Sequence, residues 1–404
     1  MPSTIISEPG VSEPQPAARL HYLDTLHVLS ILMVFLFHAV HPFDFGDWQV
    51  KNVDQSEILT IILLFLGMWG MPFFFMLAGA GSTFALQRRT ARQFVSERFR
   101  RLFIPFIAGS ILFTPLEYYC EYTNKIQRGV LTSFPTFLSA FAIFNPRLLR
   151  FPGFSPRWFG VAGYHLWFLG FLFSFALLAL PFFLWLKREP GYRVLSWMAR
   201  LCGRRGGILL FAVPAGLALC LLLPFFPEQH DWAEFAHYLF FFIMGFLLFS
   251  DERFTRAVRR DWPLLLVVGC VITAGLVGMY LAGLPVLAWS ETPGIAPFYL
   301  IQFLRAAIAV CFSLTMLFVG MRFLDFTNKL LRYGQEAALP FFVLHQPVII
   351  LIAFFVVQWD AGILVKLPVV VLSSFWVTLG LYELVVRRIR LLRSAFGTKD
   401  RSPG

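Results

Sequence analysis

The sequence predicts an all-α membrane protein, a bundle of about ten transmembrane helices with both termini cytoplasmic. Three observations predict it. Of 404 residues, 58% are hydrophobic and only 14% charged, with mean hydropathy +0.70; a soluble chain of this length has no way to bury so much apolar surface. The apolar runs continue for ~17 to 27 residues, which suits helical spans rather than barrel strands. Positive charge gathers in every second loop, the pattern that sets orientation in a bilayer.

The spans fall at about 23–42, 58–85, 102–119, 159–186, 207–226, 233–250, 262–283, 298–321, 338–357 and 364–386. The first carries Asp24, His27 and His38, with His41 at its end. The second holds Gly67, Gly70, Pro72 and Gly79, so it is expected to tilt or break. Loops 86–101, 187–206, 251–261 and 322–337 and the tail from 387 carry 25 of the 34 Lys and Arg residues. The intervening loops 43–57, 227–232, 284–297 and 358–363 are acidic or neutral. Segment 120–158 is the exception, an outer loop with Lys125, Arg128, Arg147, Arg150 and Arg157 among aromatics. It reads as a lid over an outer cavity or as an amphipathic surface segment. Residues 1–18, rich in Pro, Ser and Glu, read as a disordered tail rather than a signal peptide. Residues 19–390 form one membrane domain, and 391–404 a basic cytoplasmic tail.

The net charge of +11 is accounted for by topology, so no nucleic-acid partner is expected. An anionic ligand at the inner face is the sharper reading of the same charge. The five cysteines show neither CxxC pairing nor zinc spacing, and no metal signature, P-loop or dinucleotide fingerprint is present. No internal repeat is visible, which weighs against a transporter fold.

Ionisable groups inside a span are costly and mark function. His27 and His38 are eleven residues apart, nearly three whole turns, so both rings face one way at depths ~16 Å apart. An imidazole serves as general base or nucleophile near neutral pH. Asp44 is a carboxylate within reach to orient His38 or His41, and those two residues equally fit an interfacial helix end. Arg98 and Arg101 sit i, i+3 at the cytoplasmic mouth of the third span, and guanidinium forks grip phosphate oxygens. Arg305 is a lone arginine inside the eighth span, suited to a carboxylate or a ligand anion. Glu117 and Glu121, beside Tyr118, Tyr119 and Tyr122, suit a sugar or an interfacial aromatic belt. His165 and Trp167 open the fourth span's apolar run, and His345 lies in the ninth. Each of these also fits a helix–helix hydrogen bond.

In series these pieces resemble the polytopic acyltransferase-3 family of membrane acyltransferases, and within it the glucan succinyltransferase-like branch. They are Tyr22-Leu23-Asp24 with His38, Phe73-Phe74-Phe75-Met76-Leu77-Ala78-Gly79, Arg98-x-x-Arg101 with Pro105, His165-Leu166-Trp167-Phe168-Leu169 and Leu344-His345-Gln346-Pro347. The resemblance covers residues 19 to 390. It implies that His38 is catalytic and that Arg98 and Arg101 hold acyl-CoA, a donor substrate rather than a bound cofactor; Asp24 and His27 are expected to serve His38, and Arg305 to help hold the donor. Glu117, Glu121, His165, Trp167 and His345 would meet a carbohydrate acceptor. His38 would deprotonate an acceptor hydroxyl or carry the acyl group itself, in a bacterial inner membrane. The family places Arg where this chain has His27, and a neutral His27 would weaken the grip on the donor. A proton-coupled transporter or sugar exporter is the alternative reading, and an inactive membrane partner protein a third. Oligomeric state is left open, a dimer included.

Overall fold

The computed structural model describes residues 20–126 and 155–398. The expected disordered tail, the stretch 127–154 with Arg128, Arg147 and Arg150, and residues 399–404 lie outside them. Among the described residues every regular element is helical. They are α1 (His21–Val40), α2 (Glu57–Arg88), α3 (Ala91–Arg98), α4 (Ile104–Glu121), α5 (Arg157–Gly163), α6 (Trp167–Leu186), α7 (Glu189–Cys202) and α8 (Ala212–Leu222). Then follow α9 (Trp232–Leu248), α10 (Glu252–Leu281), α11 (Val286–Glu291), α12 (Ala296–Phe323), α13 (Lys329–Val356), α14 (Ile363–Leu381) and α15 (Arg390–Ala395).

Eight helical segments are long and apolar enough to cross a membrane: His21–Phe43, Glu57–Arg88, Ala91–Lys125, Arg157–Leu186, Glu252–Leu281, Ala296–Phe323, Lys329–Val356 and Ile363–Val386. Among the described residues two further apolar helices, Gly207–Leu222 and Trp232–Leu248, are shorter and fall where the other two spans were expected. Successive spans alternate in direction, as the contacts at their ends require. At one face Tyr22 N donates to Asp325 (3.3 Å), Lys187 Nζ to the Leu86 carbonyl (2.8 Å) and Gly206 N to Asp261 (3.1 Å). At the other, Lys51 N donates to Asn124 (3.1 Å) and Ser155 Oγ to Asp231 (2.9 Å). The first face carries the arginine-rich segments and is called the basic face below; the second is the opposite face. The chain is an integral, multi-pass membrane protein.

Proline does not break α2. Pro72 lies inside a continuous 32-residue helix, ~48 Å long, which must tilt to fit a hydrocarbon layer of ~30 Å. What fixes α2 is a reciprocal glycine crossing with α9. A Cβ on Gly79 would stand 1.9 Å from the Phe242 carbonyl oxygen, and one on Gly245 1.9 Å from that of Met76. In lipid, where apolar contact gives little net attraction, such small residues let backbones approach and pack. Two shorter helices lie in segments read above only as basic loops. In α3, Thr90 and Gln93 close a capping box. In α7, Gly191, Leu195, Ala199 and Cys202 face inward while Tyr192, Arg193 and Trp197 face out.

Candidate active site

The helices α1, α4 and α13 and the 3-10 turn Tyr164–Leu166 that leads into α6 meet in the half of the bundle nearer the opposite face, and each delivers one ionisable side chain. His38 Nδ1 lies 2.9 Å from His345 Nε2, and the rings stack with centroids 5.2 Å apart. His165 stands edge-on to both, at 6.4 Å from His38 and 5.1 Å from His345. Glu117 Oε1 lies 3.5 Å from His165 Nδ1, and both side chains are 1% exposed.

Local sequence explains how the two partner histidines are held. Pro347 has no N–H, so the Val343 carbonyl four residues before it loses its helical partner. That carbonyl faces His165 Nε2 at 3.3 Å. His345 Nδ1 lies 2.6 Å from the Phe342 carbonyl. Carbonyls only accept, so His345 carries its proton on Nδ1 and His165 on Nε2. His345 Nε2 is then an acceptor, and His38 must donate from Nδ1. The relay runs from His38 through His345 to the Phe342 carbonyl. It leaves His38 Nε2 with a lone pair and no hydrogen-bond partner among the described residues. His38 is half-buried, whereas His165 and His345 are buried. The free nitrogen is therefore the one a substrate can reach. In that tautomer His165 Nδ1 is also a lone pair and faces a carboxyl group. Neither atom has a hydrogen-bond partner in this conformation, so a single proton shared by the pair relieves two buried groups at once.

His165 is presented by a strained turn. Tyr164, just before it, has φ 46°, a conformation costly for a non-glycine residue. Glu121 accepts a 2.6 Å hydrogen bond from the Tyr164 hydroxyl and lies 3.7 Å from Lys125, which also pairs with Asp47 at 2.6 Å. Glu121 thus braces the turn that aims His165. Asp44 does not orient His38. It pairs with His41 at 3.2 Å and with Lys51 at 2.7 Å, in the loop at the opposite face. Burial opposes ionisation there, yet the hydrogen bonds from His41 and Lys51 hold the Asp44 carboxyl below its ordinary range.

At the basic face the expected arginine pair is split. A π-helical turn, Phe99–Phe103, follows Arg98 and rotates Arg101 off its face. Arg98 Nη2 donates to Ser82 (3.3 Å), its guanidinium lies 4.9 Å over the Phe94 ring, and its buried Nε has no partner. Arg101 turns to Glu97 (3.5 Å), which also holds Arg89 at 2.6 Å. Asp24 and Arg101 both act electrostatically on His27, whose ring lies 5.2 Å from Phe74. Between His27 and the histidines stands a run of rings. Phe74 stacks on Phe168 (4.6 Å) and meets Phe342 (6.4 Å), which lies 5.7 Å from His165 and 5.4 Å from His345.

A family model described as an acyltransferase domain matches residues 20–383. The chain belongs to that family. Relatives include proteins named Glucans biosynthesis protein C. Those of Salmonella paratyphi A and Salmonella agona are each 24% identical over 404 residues, spanning 95% of this chain and 96% of theirs. That of Salmonella heidelberg is 23% identical over the same span. No solved structure matches the chain.

Two residues read from sequence stand elsewhere in this acyltransferase. Arg305 is not with Arg98 and Arg101. It lies in the third turn of α12, near the opposite face, bonded to Gln302 at 2.9 Å. Trp167 stacks on His230 at 4.2 Å and Tyr238 at 5.6 Å, away from the histidine cluster. Sequence reading missed Phe74 and Phe342 as rings lining the site, and it missed Pro347 as the cause of a free carbonyl. The i−4 rule for proline would have flagged the latter.

Proposed function

We propose that the protein is an O-acyltransferase that moves an acetyl or succinyl group from cytoplasmic acyl-CoA to a hydroxyl of an extracytoplasmic carbohydrate, such as a glucan, across a bacterial inner membrane. The observation that carries this reading is the Nε2 of His38, left without a hydrogen-bond partner among the described residues and backed by the His345 relay. In the transfer, Nε2 takes the proton of the acceptor hydroxyl as its oxygen attacks the thioester carbonyl. The C–S bond then breaks, and the departing sulfur of CoA takes the proton back from His38. An ester and free CoA result, and His38 returns to its starting tautomer. The relay to the Phe342 carbonyl holds the ring in place and stabilises the imidazolium while it lasts.

Donor binding from the basic face is supported by Arg98, whose guanidinium has an unpartnered Nε, and by Arg101 and His27 beside it. The positive-inside pattern supports a cytoplasmic basic face, the side on which α1 starts and α14 ends. The names of the relatives favour a glucan as acceptor.

The test uses purified full-length protein in lipid nanodiscs, with acetyl-CoA or succinyl-CoA and a neutral glucan oligosaccharide. Ester formation and CoA release should both appear. His38→Ala should lower kcat by about 10²- to 10⁴-fold with the fold intact, the usual worth of a general base. Full turnover in that variant removes His38 from the chemistry. Proton-coupled sugar flux without any CoA ester would replace the reading with transport.

A further inference from the structure

The start of the third span is two-sided. Segment 88–101 holds six arginines against one glutamate, an excess of five positive charges. Within it Arg92, Val95, Ser96 and Phe99 follow the i, i+3, i+4, i+7 spacing that gathers side chains on one helical face. The other face of α3 packs inward, with Phe94 fully buried and the Arg98 guanidinium 4.9 Å over its ring. On the outer face Arg92, Ser96 and Phe99 are exposed and Val95 is half-buried.

Together with α6, against which α3 packs, this outer face forms a cleft of about 620 Å³. Ala91, Val95, Phe99 and Leu180 make its apolar walls, and Arg92 and Ser96 are its polar groups. Phe99 is held in place by Phe103 (5.2 Å) and by Phe173 of α6 (6.0 Å). The cleft has a direction. Arg92 lies in the first turn of α3 at the basic face, and Phe99 is seven residues further, ~10 Å along the axis. Leu180 stands six residues before the end of α6, ~9 Å in from the same face. The cleft is therefore cationic at the membrane surface and apolar at hydrocarbon depth. Its charge is also available. Glu97 holds Arg89 at 2.6 Å and Arg101 at 3.5 Å, whereas Arg92 has no hydrogen bond or ion pair among the described residues.

That combination selects the occupant. A water-soluble anion would pair with Arg92 and leave the apolar walls uncovered. A zwitterionic lipid would fill the cleft, but its headgroup brings a cation into a segment that already carries five excess positive charges. A second copy docked face to face would set the same arginines against each other. A lipid with a net negative headgroup meets every requirement: phosphate oxygens for the guanidinium fork, no opposing cation, and an acyl chain for the walls. We infer that the α3–α6 cleft is a binding site for one anionic phospholipid, its phosphate on Arg92 and an acyl chain against Phe99 and Leu180. A lipid held there clamps the helix whose inner face carries Arg98. The site stands on its own residues and does not depend on the acyltransferase reading.

The test places full-length protein in phosphatidylcholine nanodiscs with a trace of one of two probes, phosphatidylglycerol or phosphatidylcholine, each carrying a photoactivatable group on its acyl chain. Peptide mapping reads where each probe attaches. Phosphatidylglycerol should label the segments around Val95–Phe99 and Leu180 well above phosphatidylcholine. Leu372 and Trp376, on the exposed face of α14, report bulk lipid and should take both probes alike. Arg92→Gln should cut phosphatidylglycerol labelling of the cleft about fivefold, the scale of one arginine at a lipid surface, and Arg92→Lys should keep most of it. Ser96→Trp, which fills the cleft from an exposed position, should remove labelling there by either probe. Melting curves check that the variants fold. No labelling of the cleft, equal labelling by the two probes, or labelling unmoved in both Arg92→Gln and Ser96→Trp overturns the site. A copy-to-copy cross-link between cysteines placed at Phe99 and Leu180 would put protein where lipid is proposed, and overturns it as well.

Discussion

The two ends of the bundle are built differently. At the histidine end each partner imidazole has a defined acceptor: His345 holds the Phe342 carbonyl at 2.6 Å and His165 the Val343 carbonyl at 3.3 Å. At the arginine end, Arg98 has one 3.3 Å contact to a serine hydroxyl and an unpartnered Nε, and Arg101 is drawn to Glu97. On the proposed function, the difference follows from what each end would do. A group that moves a proton needs a fixed tautomer and a fixed angle, so one nitrogen of His38 and of His165 is bonded beforehand and the other is left for transfer. Groups that grip an anion complete their hydrogen bonds only when the anion arrives.

The contrast breaks most sharply at His345. If the relay fixes the tautomer of His38, His345→Ala should cut kcat by about 10- to 100-fold, the usual cost of losing an orienting partner. His345→Gln keeps an amide oxygen able to accept from His38 Nδ1, and it should retain more activity than Ala. Equal losses in the two variants would mean that His345 acts by volume alone. The pH profile of kcat separates the cases, because only loss of the relay changes how His38 titrates.

The arginine end should respond in the opposite kinetic constant. Arg98→Gln is expected to raise the KM for acyl-CoA about tenfold, the scale of one charged phosphate contact, with less effect on kcat. The dependence of that KM on salt should also flatten, since part of the attraction is a screened charge. A fall in kcat with KM unchanged would move Arg98 from the donor to the chemistry.

The aromatic run between the ends gives a third measurement. Phe74 and Phe342, 6.4 Å apart, lie between His27 and the histidines. On the proposed function, a thioester arriving from the basic face would have to displace these rings. They also keep water from the reacting carbonyl before the acceptor is in place. Phe74→Ala should raise acceptor-independent hydrolysis of succinyl-CoA several-fold, about one order of magnitude at most given the modest worth of water exclusion. Unchanged hydrolysis would show that the rings do not stand in the donor's path.

Much of this was legible in the sequence, for physical reasons. Apolar run length gave the spans, because a bilayer has a fixed thickness and its interior forces helices. His38, His165, His345 and Glu117 were visible singly, because a buried ionisable group is costly enough to be noticed. Their meeting was not visible, since it depends on how α1, α4, α13 and the turn before α6 converge. Arg305 shows the limit. Its charge drew attention, but a place on the donor side required knowing that residue 305 lies in the opposite half from residue 98. The splitting of Arg98 from Arg101 was hidden for a local reason. An i, i+3 pair shares a face only in a regular α-helix, and Phe99–Phe103 is a π-helical turn.

The smallest expected effect lies in the loop after α1, which tests whether the order of the histidine end extends to the surface above it. Lys51 Nζ reaches the His41 carbonyl at 2.6 Å and Asp44 Oδ1 at 2.7 Å, so Asp44 ties the loop to the end of the helix that carries His38. Because the folded protein holds the Asp44 carboxyl below its ordinary range, its contribution is complete at neutral pH and fades as pH falls through about 4 and below. Asp44→Asn should therefore lower the apparent melting temperature by a few degrees at pH 7, on the order of one lost charged hydrogen bond. The gap to wild type should narrow as pH falls from the ordinary carboxylate range toward the lowered native one, where the native carboxylate itself takes up its proton. A gap that stays constant with pH would mean that Asp44 acts by shape, not charge. A variant that also loses turnover at neutral pH while still folded would show that the loop sets the angle of His38, and would extend the prebuilt end of the site to the membrane surface.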